Sequence, residues 1–188
     1  MDDRTDEEIV RQVQNGDSEA FGEIVSRYEE KILRYARKFL FGYTEAEDLA
    51  QEVFIKSYVN IKSFNTGLKF SPWIYRIAHN EFINAIKKKG KEPVPFFDPD
   101  TLFPHPVARE RSDHEINTKD LRKTLDACLN KLEQKYREPM VLYYYEEMDY
   151  QSIADVLQVP VSTIGVRLSR GRERLAKIYQ ELYGEITA

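Results

Sequence analysis

Only one cysteine, Cys128, occurs in 188 residues, so no disulfide can form within the chain. Its place in the run Leu125, Cys128, Leu129, Leu132 marks it as a small apolar core residue, and such sparse thiol usage suits a reducing compartment. No apolar run approaches the length that spans a bilayer. The opening MDDRTDEEIV is acidic and lacks a signal-type apolar stretch, so a cytoplasmic location is expected. Histidine is scarce too: His79, His105 and His114 have no metal-ligand spacing. There is no phosphate-binding glycine loop, and no nucleophile sits beside a plausible base. No catalytic residue, metal or cofactor is therefore expected.

What is present is enough for a core, with 41% apolar residues, and a charge distribution more informative than the net value of -4. Residues 1–60 hold 8 Lys/Arg against 14 Asp/Glu, whereas residues 61–92 hold 7 against 2. A second basic cluster, Arg167, Arg170, Arg172, Arg174 and Lys177, lies near the end. Because phosphate attraction is a local field effect, this segregation points to two basic surfaces and one acidic one, hence to at least two kinds of partner.

Helical periodicity dominates the first 91 residues. Thr5 and Glu8 make a capping box for a short first helix that Asn15-Gly16-Asp17 closes. A long helix from Ser18 to Phe41 carries the stripe Phe21, Ile24, Tyr28, Ile32, Tyr35 and Phe39. After Gly42, Thr44 and Glu47 offer another capping box for a third helix reaching about Asn60. Ala46, Ala50, Val53 and Phe54 point one way on it. Asp48, Gln51, Glu52, Ile55 and Val59 share another face, which reads either as an exposed edge or as a docking surface for a basic partner.

The stretch IKSFNTGLKF reads as a mobile loop with aromatics on both sides, followed by a fourth helix with Ser71 as cap and Pro72 in its first position. On that helix Trp73, Arg76, Asn80, Asn84 and Lys87 form a polar stripe that Lys88, Lys89 and Lys91 extend. Cations for a backbone and flat rings for unstacked bases suit single-stranded DNA. The alternative makes Phe70 and Trp73 plain core and the lysines a solvated helix end.

Residues 92–112 hold five of the eight prolines with no period, an extended flexible linker assigned to 92–116. The second domain, 117–188, begins with a helix bearing Leu121, Leu125, Cys128, Leu129 and Leu132. Pro139 should kink the next helix or delay its start. Then Ile153, Ala154 and Leu157, a stop at Val159-Pro160, Ser162 as a cap, and the inward row Ile164, Leu168, Leu175 spell a helix-turn-helix. Thr163, Arg167, Arg170 and Arg174 form a separate face, suited to phosphates and guanine edges in a major groove, or to water. The fold class expected is all-α: two small helical domains joined by a flexible proline-rich linker.

The stretches AFGEIVSRYEEKIL, AEDLAQEVFIKSY, KFSPWIYRIAHNEFI and YREPMVLYYYEEMDYQSIADVLQVPVSTIGVRLSRGRERL, in this order, resemble a bacterial RNA polymerase sigma factor of the extracytoplasmic-function (ECF) group. No stretch is similar to the extra N-terminal or middle domains of the housekeeping type. The resemblance implies that the helix with Asp48, Gln51, Glu52 and Ile55 docks on the clamp coiled coil of the polymerase largest subunit. It also implies a contact with the flap region of core RNA polymerase. In the same way Lys62, Phe64, Asn65, Lys69, Trp73, Arg76, Asn80, Asn84, Lys87 and Lys88 would melt and hold the minus-ten element of promoter DNA. Ser162, Thr163, Val166, Arg167, Arg170 and Arg174 would read the minus-thirty-five element, and the linker would enter the polymerase cleft. Many relatives are held by an anti-sigma factor, and nothing in this chain identifies one. Gln158 replaces a common turn glycine, Gly165 a frequent basic residue, Asn84 a frequent aspartate and Glu133 a frequent proline. A stand-alone helix-turn-helix regulator is the main rival reading.

Overall fold

The computed structural model describes residues 4–40, 45–89 and 118–184. Among these residues the structure is all-helical, with eight α-helices and no strand. The first four are α1 (Asp6–Gln14), α2 (Phe21–Phe39), α3 (Ala46–Asn60) and α4 (Phe70–Lys89). The second four are α5 (Thr118–Lys131), α6 (Gln134–Tyr144), α7 (Tyr150–Leu157) and α8 (Val161–Tyr183). The linker expected over 92–116, together with Lys91, His105 and His114, lies outside the described residues, as do Phe41, Gly42 and Thr44.

The capping box at α1 is made: Glu8 donates its N–H to Thr5 Oγ1 (3.2 Å) and Thr5 donates its own to Glu8 Oε2 (2.8 Å). Gly16, at φ 110, gives the left-handed turn that ends the helix. Three expected helix starts are corrected. First, α3 opens from Glu45 without a side-chain cap, and Glu47 pairs with Arg37 at 2.7 Å instead of reaching back to the chain. Second, α4 begins at Phe70, two residues before Pro72; Ser71 is not its cap, because Glu7 of α1 accepts the Phe70 N–H at 2.7 Å. A carboxylate at a helix N-terminus meets both its orphan donors and the positive end of its dipole. Third, α8 starts at Val161 from Pro160, so Ser162 lies inside the first turn.

Pro139 sits inside α6 without delaying its start. It removes one donor to the preceding turn, and its ring is buried where neighbouring helices hold it. Ile24, Ile32, Tyr35, Phe39, Ile74 and Phe82 fill the first half, and Leu142, Ile153, Val156, Ile164 and Leu168 the second. Cys128 is fully buried as expected, and burial pushes its thiol up from the ordinary value. Gly171 lets α8 approach α6 closely: a Cβ there would lie 2.7 Å from Met140 Sδ. The buried residues of both halves form one contiguous cluster, with α4 along α7 and α2 against α6.

The helix-turn-helix pays for its sharp turn at one residue. Gln158 is left-handed (φ 54, ψ 45), a conformation that costs a side-chain-bearing residue roughly 1–2 kcal/mol. Its amide recovers part of this by donating to the Asp155 carbonyl at 2.7 Å. Gln158→Gly is expected to stabilise the protein by about 0.5–1 kcal/mol, read as a higher urea midpoint at unchanged m-value.

Candidate nucleic-acid and partner interfaces

α3 has the two faces its sequence suggested. Val53, Phe54 and Ala50 are buried, while Asp48 and Gln51 are exposed and Glu52 is half-buried. Ile55 and Val59 are 57% and 73% exposed, and Tyr58 joins them at 44%. Tyr58 was not singled out by the sequence, because its edge-on contact with Phe21 across the helix pair (5.1 Å) cannot be read from one helix. The result is an apolar ridge flanked by carboxylates, without an internal partner for its apolar side chains large enough to bury them.

The loop before α4 is pinned to the fold. Gln14 Nε2 donates to the carbonyls of Ile61 and Phe64, both at 2.8 Å, and Asn65 Oδ1 accepts the Gly67 N–H at 2.9 Å. The expectation of a mobile loop is thus corrected, and so is the display of Phe64. Its ring is 5% exposed, edge-on to Phe70 (5.4 Å) and packed on Trp73 (5.2 Å). A planar ring with two aromatic neighbours gains more from packing than from water. Lys62, Asn65 and Lys69 are exposed around it, and Trp73 is half-buried with one side turned outward toward a cleft. Arg76, Asn80, Asn84, Lys87 and Lys88 continue as an exposed row along α4.

On α8, Ser162, Val166 and Arg170 are exposed and Thr163 and Arg167 half-buried. Among the described residues neither Arg167 nor Arg170 makes an ion pair. Arg174 is a correction: its guanidinium pairs with Glu133 and lies over the Tyr136 ring, 4.6 Å from the centroid, so it turns back onto its own domain. Gly165 has open room, since a Cβ would meet only Tyr150 at an ordinary 3.7 Å. Asp149, which the sequence reading passed over, caps α7 by accepting the Ser152 N–H at 2.6 Å.

Comparison with known proteins decides the family. The model for sigma-70 region 2 matches residues 24–92, and that for sigma-70 region 4 matches residues 122–175. The chain is 38% identical over 181 residues to the ECF RNA polymerase sigma factor SigW of Bacillus subtilis, covering 92% of this chain and 96% of that one. It is 32% identical to the RNA polymerase sigma-H factor of Pseudomonas aeruginosa, with 96% of each chain covered. The sigma factor RpoE of Bartonella quintana, solved with the anti-sigma factor NepR, superposes with TM-score 0.67 at 26% identity over 85% of this chain and 96% of that one. The chain belongs to the ECF RNA polymerase sigma factors. As a sigma factor it directs promoter-specific transcription by core RNA polymerase, and its family is one of non-catalytic, DNA-binding initiation factors.

In this sigma factor the two domains meet through charge as well as packing. Glu138 on α6 is 5% exposed; its Oε1 accepts from Tyr35 Oη at 2.5 Å and lies 2.6 Å from His79 Nδ1. The Glu146 carboxylate, wholly buried, receives Arg34 Nε (2.9 Å), Arg34 Nη2 (2.7 Å) and Tyr75 Oη (2.6 Å). Burial, then the neighbouring carboxylates, hold both tyrosine hydroxyls far above their ordinary pKa, so they remain donors. Arg137 donates to the Phe39 carbonyl at 3.2 Å, and Lys38 pairs with Asp126. Lys69 pairs with Asp149 at 3.1 Å across a cleft of about 640 Å³.

Hydrogen bonds from the Ser152 backbone and side chain, with Lys69 added, lower the Asp149 carboxyl from 3.8 to about 2. A depressed acid stabilises the folded state above its unfolded value and loses that contribution as pH falls toward its folded value. Between pH 5 and pH 2.5 the wild type should therefore lose more stability than Asp149→Asn, which keeps a capping oxygen but does not titrate. Urea midpoints of the two proteins at both pH values check this.

Proposed function

We propose that residues 1–91 dock on core RNA polymerase and hold the minus-ten element, that residues 117–188 read the minus-thirty-five element beside the flap region, and that 92–116 tether them. The observation that carries this reading is the separation of the exposed surface by chemistry. The α3 ridge offers Asp48, Gln51, Glu52 and Ile55, with Tyr58 and Val59, to a basic partner with apolar patches such as the clamp coiled coil. The α4 side offers Lys62, Asn65, Lys69, Arg76, Asn80, Asn84, Lys87 and Lys88 to a phosphate backbone, and Trp73 as a flat platform for an unpaired base. Phe64 serves from behind, by setting the angle of Trp73. On α8, Ser162, Thr163, Val166, Arg167 and Arg170 face the major groove, and Arg174 is withdrawn from the set.

Core polymerase supplies the chemistry, and this chain, which is not itself an enzyme, works where the polymerase is, in the cytoplasm. Trapping an unstacked base offsets an unpairing cost of a few kcal/mol. Two weak sites on one tethered chain give avidity that neither domain has alone. An anti-sigma partner belongs to this reading, supported by the complex in which the similar Bartonella quintana RpoE was solved.

Run-off transcription with core polymerase over a randomised promoter library tests the whole. Reversing charge at Asp48 and Glu52 together should abolish co-purification with core polymerase while circular dichroism stays unchanged. Arg170→Ala should weaken binding of holoenzyme to its promoter by ~1–3 kcal/mol through the minus-thirty-five element. Arg174→Ala should leave that footprint in place, and equal losses from the two would reject the assignment of their roles.

A further inference from the structure

We infer that α1 governs base choice at the minus-ten face from behind: Gln14 and Glu7 are positioning residues that hold the loop at 61–69 and the ring of Trp73 in their reading geometry. This rests on the proposed assignment of that face and places the control of its selectivity in a different helix.

The match to sigma-70 region 2 begins at residue 24, so α1 lies outside it, yet α1 bonds to both ends of the base-reading segment. At one end Gln14 Nε2 donates to the carbonyls of Ile61 and Phe64, both at 2.8 Å and 47 and 50 residues away. At the other, Glu7 Oε1 accepts the Phe70 N–H at 2.7 Å, 63 residues away. Both ties reach loop or helix-start backbone rather than the core of the domain. The helix that carries them is itself firmly seated, since Ile9 and Val10 are fully buried.

Between these anchors the loop closes on itself. Phe64 donates its N–H to the Ile61 carbonyl at 3.1 Å, and Leu68 donates to the Asn65 carbonyl at 3.0 Å. The Gly67 N–H needs an acceptor and finds Asn65 Oδ1 at 2.9 Å. The exposed Asn65 side chain is thereby oriented with its oxygen toward the loop, and its amide N–H2 is the group left for the acceptor edge of an unpaired base.

Trp73 hangs from the same two anchors. Its ring packs on Phe64 at 5.2 Å and on Phe70 at 5.4 Å, the two residues whose backbone Gln14 and Glu7 hold. A shift of either tie reaches the stacking platform through one aromatic contact. Hydrogen bonds to a base edge weaken steeply once distance and angle slip, so loosening the support costs discrimination before it costs the fold.

The experiment is start-site selection by reconstituted holoenzyme from the randomised promoter library, read separately at the minus-ten and minus-thirty-five positions. Gln14→Met and Gln14→Glu keep the length of the side chain and lose both donors. They should lower base discrimination at the minus-ten element roughly fivefold, with the minus-thirty-five preference, co-purification with core polymerase and helical content as in wild type. Glu7→Leu should act alike, whereas Glu7→Gln, which keeps an acceptor oxygen for Phe70, should return discrimination toward wild type. If a Gln14 variant does not fold, Gln14→Asn, one methylene too short for the two carbonyls, takes its place. A purely structural role would lower transcript yield over all promoters and leave the preferred minus-ten sequence unchanged. That result, or an unchanged preference at unchanged yield, overturns the inference. Asn65→Ala separates the two ideas. If it flattens the minus-ten preference while the Gln14 and Glu7 variants do not, only the role of α1 falls; if it leaves that preference intact, the assignment of the face falls with it.

Discussion

Glu138 and Glu146 carry charge into the seam between the two domains, and a carboxylate deprived of water persists only where donors surround it. Those donors come from α2 and α4, the helices that also form the core of the first domain. Tyr35 and Tyr75 thus serve twice, their rings filling the α2–α4 interface at 5.4 Å from one another and their hydroxyls receiving the second domain. The relative position of the halves is tied to this constraint, since the contacts of both carboxylates cross the same seam.

A helix in a small domain has one face for the core and must do something with the rest. On α3 the remaining face keeps Ile55, Tyr58 and Val59 in water, a burden that makes sense for a surface awaiting a partner. On α4 the other side is cationic and amide-rich, and on α8 the arginines divide. Arg174 is consumed internally by Glu133 and Tyr136, while Arg167 and Arg170 remain available. Glu133 thereby turns one arginine of α8 back toward its own domain.

The all-helical class, the helix-turn-helix and the division of charge were legible because each depends on spacing along one helix. The two-faced pattern of α3 and the polar row of α4 survive intact in three dimensions. Phe64 was misjudged because an aromatic in a loop looks exposed until its neighbours are known, and Phe70 and Trp73 are brought to it only by the turn at residues 65–69. Ser71 and Ser162 were assigned as caps from their residue type. Phe70 instead finds its acceptor in Glu7, some sixty residues earlier, and α8 starts one residue before Ser162. Gln14, which ties down the loop, carries no local signal at all, because its two partners are carbonyls of a distant turn.

By itself the sequence determined helical content, the family and the sign of each surface, since periodicity, motif order and charge are properties of neighbouring residues. Tertiary structure alone decided which aromatic is buried, which arginine is spent and how the domains close on each other. The physical reason is that hydrogen bonds and ion pairs such as Tyr35 to Glu138 and Arg34 to Glu146 join residues about a hundred positions apart, where no local pattern constrains the partner.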